Sequence, residues 1–114
     1  MTISDDELSY RARIRRDLLH PAQAVLQLPS FENLAKGYGL SSQTLRRRLK
    51  GEGSSYPQIK DEIRLDLAIE KLRIRQLSVA EISAQLGFSE SRAFTRAFRQ
   101  WTGYSPSEYR QRGI

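Results

Sequence analysis

The stretch Ile82–Pro106, ISAQLGFSESRAFTRAFRQWTGYSP, predicts two helices joined by a tight turn. Just before it, Ser78 can accept from the backbone of Glu81 while the Glu81 side chain reaches back, a capping box that starts the first helix. Gly87 supplies the positive φ with which many helices end. Ser89 is a favourable N-cap, so we expect it to begin the second helix.

The second helix is predicted to have an aromatic face and, opposite it, a face rich in arginine. Phe94, Phe98 and Trp101 follow one another at spacings of four and three, which places them on one face. At about 100° per residue, three arginines lie almost opposite that face: Arg92, Arg96 and Arg99. Gly103 closes the helix, and Ser105–Glu108 begins another with a capping box and a proline at its first position.

This pattern closely resembles the second helix-turn-helix of AraC/XylS-type transcription regulators. The residues that carry the resemblance are Gly87-Phe88-Ser89, Phe94, Arg96, Phe98, Gly103 and Ser105-Pro106. It implies an all-α, homeodomain-like fold with two helix-turn-helix subdomains joined by a long linker helix. An ordinary amphipathic helix pair with solvated arginines would explain the caps and the aromatics, but it does not predict the full pattern.

The same motif occurs earlier in the chain, about fifty residues before. Its matching positions are Leu34-Ala35, Gly39-Leu40-Ser41, Leu45, Arg47, Leu49 and Gly53, with one residue fewer in the turn. We therefore predict two similar binding modules. The expected divisions are an N-terminal segment at 1–28, a first module at 29–56, a linker helix at 57–76 and a second module with the C-terminal helix at 77–114.

The linker is predicted to be one uninterrupted helix from Pro57 to about Arg75. Its apolar residues form two separated faces, one with Ile59, Ile63, Leu67 and Ile74, the other with Leu65, Ala68, Ile69 and Leu72. Such a helix can pack on two bodies. Its expected length of about 28 Å is close to the ~34 Å between successive major grooves on one face of DNA.

The N-terminal segment is expected to contain a helix from Asp5 to Leu19 and a short one from Pro21 to about Gln27. The short helix would bury Ala24 and Val25. We interpret residues 1–28 as the first helix of the first module, preceded by the end of an interdomain connector.

Composition limits the classes of function. The 114 residues carry a net charge of +6, and all of the excess follows Thr44, with fourteen basic residues against eight acidic ones. This distribution favours a phosphate-binding face. Without cysteine and with His20 as the only histidine, we expect no metal, no cofactor and no enzymatic activity. No apolar run is long enough for a membrane span, and we expect a cytoplasmic location.

The resemblance assigns the candidate DNA contacts. Its base-reading positions fall on Gln43, Arg46, Arg47, Ser91, Arg92, Thr95 and Arg96. The helical projection independently ranks Gln43, Arg47, Arg92 and Arg96 as outermost, and it places Arg48 near the inner side. We assign Lys50, Arg99 and the N-cap amides at Ser41 and Ser89 to DNA phosphates.

The expected function is sequence-specific binding of double-stranded DNA, with RNA polymerase as a candidate second partner. We expect the two reading helices in successive major grooves of an asymmetric site. A helical protein-interaction module that uses Trp101, Tyr104 and Tyr109 is the alternative. The effector or dimerisation domain that most such regulators carry is absent from this chain, so we expect either a short regulator or a C-terminal fragment.

Overall fold

The computed structural model describes residues 8–19 and 25–113, and the regular elements within these ranges are α-helices. They are α1 (Tyr10–Leu18), α2 (Phe31–Gly37), α3 (Ser42–Gly51), α4 (Tyr56–Leu72), α5 (Val79–Gln85), α6 (Ser91–Thr102) and α7 (Pro106–Arg112). The all-α prediction is therefore confirmed.

The chain divides into two compact units, and the division falls within α4. Unit 1 holds the described residues of Met1–Ala22 with Leu28–Ile63, and unit 2 holds those of Gln23–Gln27 with Arg64–Ile114. Each unit contains one copy of the repeated helix pair, α2–α3 in unit 1 and α5–α6 in unit 2.

The two helix pairs turn in the same way, as the duplication predicts. Gly39 and Gly87, which follow α2 and α5, have φ values of 72° and 86°. Gly53 and Gly103, beyond α3 and α6, have φ values of 74° and 85°. Because only glycine adopts this left-handed region at no steric cost, these four positions fix the ends of the helices.

The core of unit 1 is aliphatic. Its fully buried side chains come from every helix of the unit and include Ile14, Leu45, Leu49, Ile59 and Ile63. Helix α1 packs on α3 and is an integral part of this unit.

Side chains that are distant in sequence hold α1 in place. The carboxylate of Glu52 accepts from the backbone amides of Tyr10 at 2.8 Å and Arg11 at 3.0 Å. Glu62 forms an ion pair with Arg11 at 2.8 Å. The hydroxyl of Ser9 accepts from the amide of Ala12, so Ser9 is the N-cap of α1.

The predicted Asp5–Leu19 helix is therefore wrong at its start. Ser9 has an extended backbone, with φ −64° and ψ 160°, and the helix begins at Tyr10. Residues 5–7 of the predicted helix lie outside the described residues.

The short helix predicted at Pro21–Gln27 is also wrong in its described part, because residues 25–27 are not helical. Val25 is exposed, and Leu26 is buried in its place. The amide of Leu26 donates to the carbonyl of Gln85 at 2.7 Å, which attaches this non-helical segment to α5.

Helix α4 begins at Tyr56 and ends at Leu72, so the linker helix is three residues shorter at its C-terminal end than predicted. Its 17 residues span about 26 Å. Ile59 and Ile63 are buried in unit 1, and Leu67, Ala68 and Leu72 in unit 2. Ile74 lies beyond the helix and is exposed, which contradicts its predicted place on an apolar face.

The core of unit 2 is aromatic. Phe94 is in ring contact with Phe88 and Phe98, at centroid distances of 5.5 and 5.7 Å, and Phe98 meets Tyr109 edge-on at 5.3 Å. Phe94 and Phe98 are fully buried, whereas Trp101 is only partly buried. The first two members of the predicted aromatic face are thus confirmed as core residues.

Candidate nucleic-acid interface

Helix α6 presents one continuous polar face to solvent. Its aromatic side is anchored by Phe94 and Phe98, so the residues on the opposite side point outward. They line a shallow depression of about 340 Å³ formed by Arg92, Thr95, Arg96, Arg99 and Gln100. The structure therefore brings together four of the predicted contact residues on a single face.

Gln100 is a member of this face that the sequence reasoning missed. It lies four residues after Arg96 and eight after Arg92, which is the same helical row. Glutamine can donate to and accept from adenine, so its side chain is as suited to base reading as that of Gln43.

The N-cap of α6 is Glu90, and the prediction of Ser89 is wrong. Glu90 has an extended backbone, with φ −143° and ψ 145°, and its side chain makes no capping hydrogen bond. Its carbonyl instead accepts from the hydroxyl of the buried Ser83 at 3.2 Å. The extra residue in the second turn explains the shift, because Ser91 then corresponds to Ser42 at the start of α3.

Helix α3 begins as predicted. Ser41 is its N-cap, and the Ser41 hydroxyl accepts from the amide of Thr44 at 3.1 Å. The two modules therefore differ at the start of their second helices. A neutral serine stands at the beginning of α3, and a carboxylate stands at the beginning of α6.

The outward face of α3 carries Gln43, Arg46, Arg47 and Lys50, all of them exposed. Leu45 and Leu49 are buried on its other side. Within this set Arg46 has a particular position, because its guanidinium lies over the ring of Phe31 at 5.3 Å from the centroid. Arg46 thus lies on the side of α3 that faces the start of α2.

The predicted inner position of Arg48 is wrong, since this side chain is exposed. Its α-carbon is next to the buried Leu49, yet a long side chain can leave an apolar surface and keep its charge in water. All three consecutive arginines of α3 therefore present their charges to solvent.

Two more of the predicted contacts have distinct surroundings. Arg99 forms an ion pair with Glu108 at 3.5 Å, and both side chains are more than half exposed. The hydrogen bonds that Ser105 makes lower the pKa of Glu108, and the positive charge of Arg99 lowers it further. Ser91 is exposed in the first turn of α6.

This arrangement of groups suits a nucleic-acid duplex. Arginine can donate two hydrogen bonds to guanine, and a helix is narrow enough to enter the major groove. Among the described residues there is no cluster of three side chains able to hold a metal ion. None of the helices in the described ranges is long and apolar enough to cross a membrane.

Comparisons with known proteins give a consistent result. A family model described as a helix-turn-helix domain matches residues 34–112. The chain is 42% identical over 100 residues to the ornithine utilization regulator of Pseudomonas aeruginosa, a match that covers 87% of this chain and 28% of that protein. The chain thus spans less than a third of that relative.

Two solved structures are similar in fold and sequence. The transcriptional regulator CdpR of Pseudomonas aeruginosa superposes with a TM-score of 0.81 at 36% identity, over 90% of this chain and 31% of that one. The DNA-binding domain of AdpA, a global transcriptional factor solved in complex with a target DNA, gives a TM-score of 0.69 at 28% identity. That match covers 88% of this chain and 85% of the AdpA chain.

Proposed function

This chain belongs to the AraC-type helix-turn-helix family of DNA-binding domains, and from that premise we propose that α3 and α6 read the sequence of double-stranded DNA. The observation that carries the proposal is the outward face of α6. Four predicted contact residues line one outward face there, while the opposite side of the helix is fixed in an aromatic core.

A rigid helix is a requirement of base reading, because bidentate hydrogen bonds tolerate little error in position. The contacts of Phe94 with Phe88 and Phe98 supply that rigidity in unit 2. In unit 1 the buried Leu45 and Leu49 hold α3 in the same manner.

The two reading faces carry different chemistry, so the site on DNA should be asymmetric. Base readers in α3 are Gln43, Arg46 and Arg47, and in α6 they are Ser91, Arg92, Thr95 and Arg96. Since the units are tandem copies in one chain, a single chain should recognise two unlike boxes in successive major grooves.

Phosphate contacts complete the proposal. We assign them to Lys50 and Arg99, to the N-cap of α3 at Ser41, and to the backbone at Ser89 in the turn before α6. Because Glu90 now occupies the N-cap of α6, its carboxylate makes that helix start a weaker phosphate site than the start of α3.

In this role the chain would be the DNA-binding part of a transcription regulator in the cytoplasm, acting through contacts to RNA polymerase or to another regulator. The similarity to CdpR and to the ornithine utilization regulator supports this assignment. Catalysis forms no part of the proposal.

The salt dependence of DNA binding tests the proposed function. If about six phosphates are neutralised, the slope of log K against log salt should be about −5. A slope shallower than about −2 would contradict DNA binding by these faces and would favour a protein partner.

A further inference from the structure

Unit 1 contains an open pocket of about 520 Å³ next to the reading helix α3. Two aromatic rings form much of its apolar lining, Phe31 and Tyr56, with centroids 5.5 Å apart and planes inclined by 37°. The phenol of Tyr56 donates to the carbonyl of Pro29 at 2.7 Å. This hydrogen bond fixes the ring, so the apolar surface is formed in advance of any ligand.

Three cations surround these rings. The guanidinium of Arg46 lies 5.3 Å from the centroid of Phe31, and the ammonium of Lys60 lies 4.9 Å from that of Tyr56. Lys50 is the third cation that lines the pocket, and the lining residues include no Asp or Glu. A ligand in this pocket therefore meets positive charge that no carboxylate of the lining neutralises.

The start of α4 favours an anion in the same place. The N-terminus of the 17-residue helix α4 lies at the pocket, since Ser55, Tyr56 and Pro57 line it. Its dipole adds to the attraction for negative charge.

We propose that this pocket binds a small amphipathic anion, a carboxylate attached to an aromatic or branched aliphatic body. The body would cover Phe31 and Tyr56, and the carboxylate would pair with Lys60 and Lys50. The volume is in the range of small-molecule sites. An uncharged or cationic molecule of the same shape would gain no favourable charge interaction with the three cations.

Binding of this anion should weaken the binding of DNA. Arg46 and Lys50 line the pocket and are also proposed DNA contacts. A bound carboxylate would neutralise Lys50 and reduce the positive field at Arg46, and the antagonism would be reciprocal. This coupling rests on the proposed function, whereas ligand binding itself does not.

The experiment is an NMR titration of the ¹⁵N-labelled chain, without DNA, with naphthalene-2-carboxylate as the probe. We expect saturable shifts of the amides of Phe31, Ser54, Tyr56 and Lys60. Naphthalene-2-methanol, an uncharged molecule of the same shape, should bind at least about threefold more weakly, because it lacks the charge interaction. Equal binding of both molecules, or shifts confined to unit 2, would overturn the proposal.

Two lysine variants provide the matched test. Lys60→Gln should weaken naphthalene-2-carboxylate binding about two- to fivefold, as expected for one partly exposed ion pair. Lys36→Gln removes the same charge from α2 at a position that does not line the pocket, and it should leave binding unchanged. The amide spectra report whether both variants are folded. Equal effects of the two substitutions would show a general charge effect and refute a site at the pocket.

A second arm separates the ligand from the coupling. Saturating naphthalene-2-carboxylate should lower the affinity of the wild-type chain for a selected DNA site, and should lower it less for Lys60→Gln. If the probe binds as predicted while DNA affinity is unchanged, the result supports the ligand site at the pocket. The same result would refute the assignment of Arg46 and Lys50 to DNA contacts. If DNA binding is steeply salt-dependent while the probe does not bind, the proposed function stands and the pocket proposal fails.

Discussion

Arg99 on α6 lies 3.5 Å from the carboxylate of Glu108 on α7, so one cation of the proposed DNA face is paired within the protein. Both side chains are exposed, and such a pair contributes little to stability. Its consequence is functional. A phosphate that approaches Arg99 must compete with a carboxylate that is already present.

Glu108→Gln should therefore strengthen DNA binding by about two- to threefold at low salt, with a smaller gain at high salt. The control is the same substitution in an Arg99→Gln background, where the gain should shrink because the competing pair no longer exists. Fluorescence anisotropy on one duplex measures all four affinities. An equal gain in both backgrounds would assign the effect to general charge and contradict a specific role for the pair.

Glu108 should also contribute to the pH dependence of stability. Its hydrogen bonds with Ser105 and the charge of Arg99 lower its pKa from the ordinary value of 4.5. A carboxylate whose pKa is lowered in the folded state stabilises the fold above the unfolded pKa, and loses this contribution as pH falls through the folded pKa. Thermal melts of the wild type and of Glu108→Gln should therefore differ at pH 7 and converge as pH falls through the lowered pKa of Glu108. If the difference in melting temperature between the two proteins did not change with pH, Glu108 would not make the assigned contribution to stability.

A substitution at the N-cap of α6 should raise both the stability of the protein and its affinity for DNA. Glu90→Ser installs the residue that caps α3, and it should raise stability by about 0.5–1 kcal/mol. It also removes a negative charge beside the proposed reading face, so DNA affinity should rise for all sequences. Ser41→Ala is the counterpart in α3, because it removes an existing cap and should cost about 1 kcal/mol. A Glu90→Ser protein that is less stable than the wild type would show that Glu90 has a role beyond the cap.

Substitution of Arg48 tests whether its side chain is exposed, as in the structure, or lies on the inner side of α3, as the helical projection predicted. Because its side chain is exposed, Arg48→Ala should change the free energy of unfolding by less than about 0.5 kcal/mol. Chemical denaturation measures this directly. A loss of more than about 1.5 kcal/mol would restore the inner position that the helical projection predicted.

Local patterns predicted most of the fold, because they depend on neighbours within one or two turns. The caps at Ser41, Ser78 and Ser105 and the left-handed glycines at 39, 87 and 103 follow from residue type and spacing. The buried faces of α3 and α6 follow from the helical period.

Two boundaries that failed, the start of α1 and the end of α4, are set by contacts from distant parts of the chain. The start of α1 depends on Glu52, which accepts from amides 41 and 42 residues away. Beyond the end of α4, Arg110 donates to the carbonyls of Leu72 and Ile74, 38 and 36 residues away. No glycine or proline marks this end in the sequence, so periodicity alone extended the helix to Arg75.

The candidate site was predictable to a similar extent. The outward rows of α3 and α6 come from the helical projection and the family resemblance, and Gln100 could have been found by extending the row. The pocket beside α3 could not, because Phe31 and Arg46 meet only after α2 and α3 have packed. The particular contacts assigned to DNA remain predictions.

In the proposed function, α3 and α6 each read their own part of one DNA site. Selection of bound sequences from a random duplex library, with the wild type, Arg47→Ala and Arg96→Ala in parallel, tests it most directly. We expect one asymmetric motif with two unlike boxes for the wild type. Each variant should lose preference at one position, Arg47→Ala in one box and Arg96→Ala in the other, at a cost of about 1–3 kcal/mol. Identical motifs from all three proteins, or a loss of preference in the same box for both variants, would contradict it.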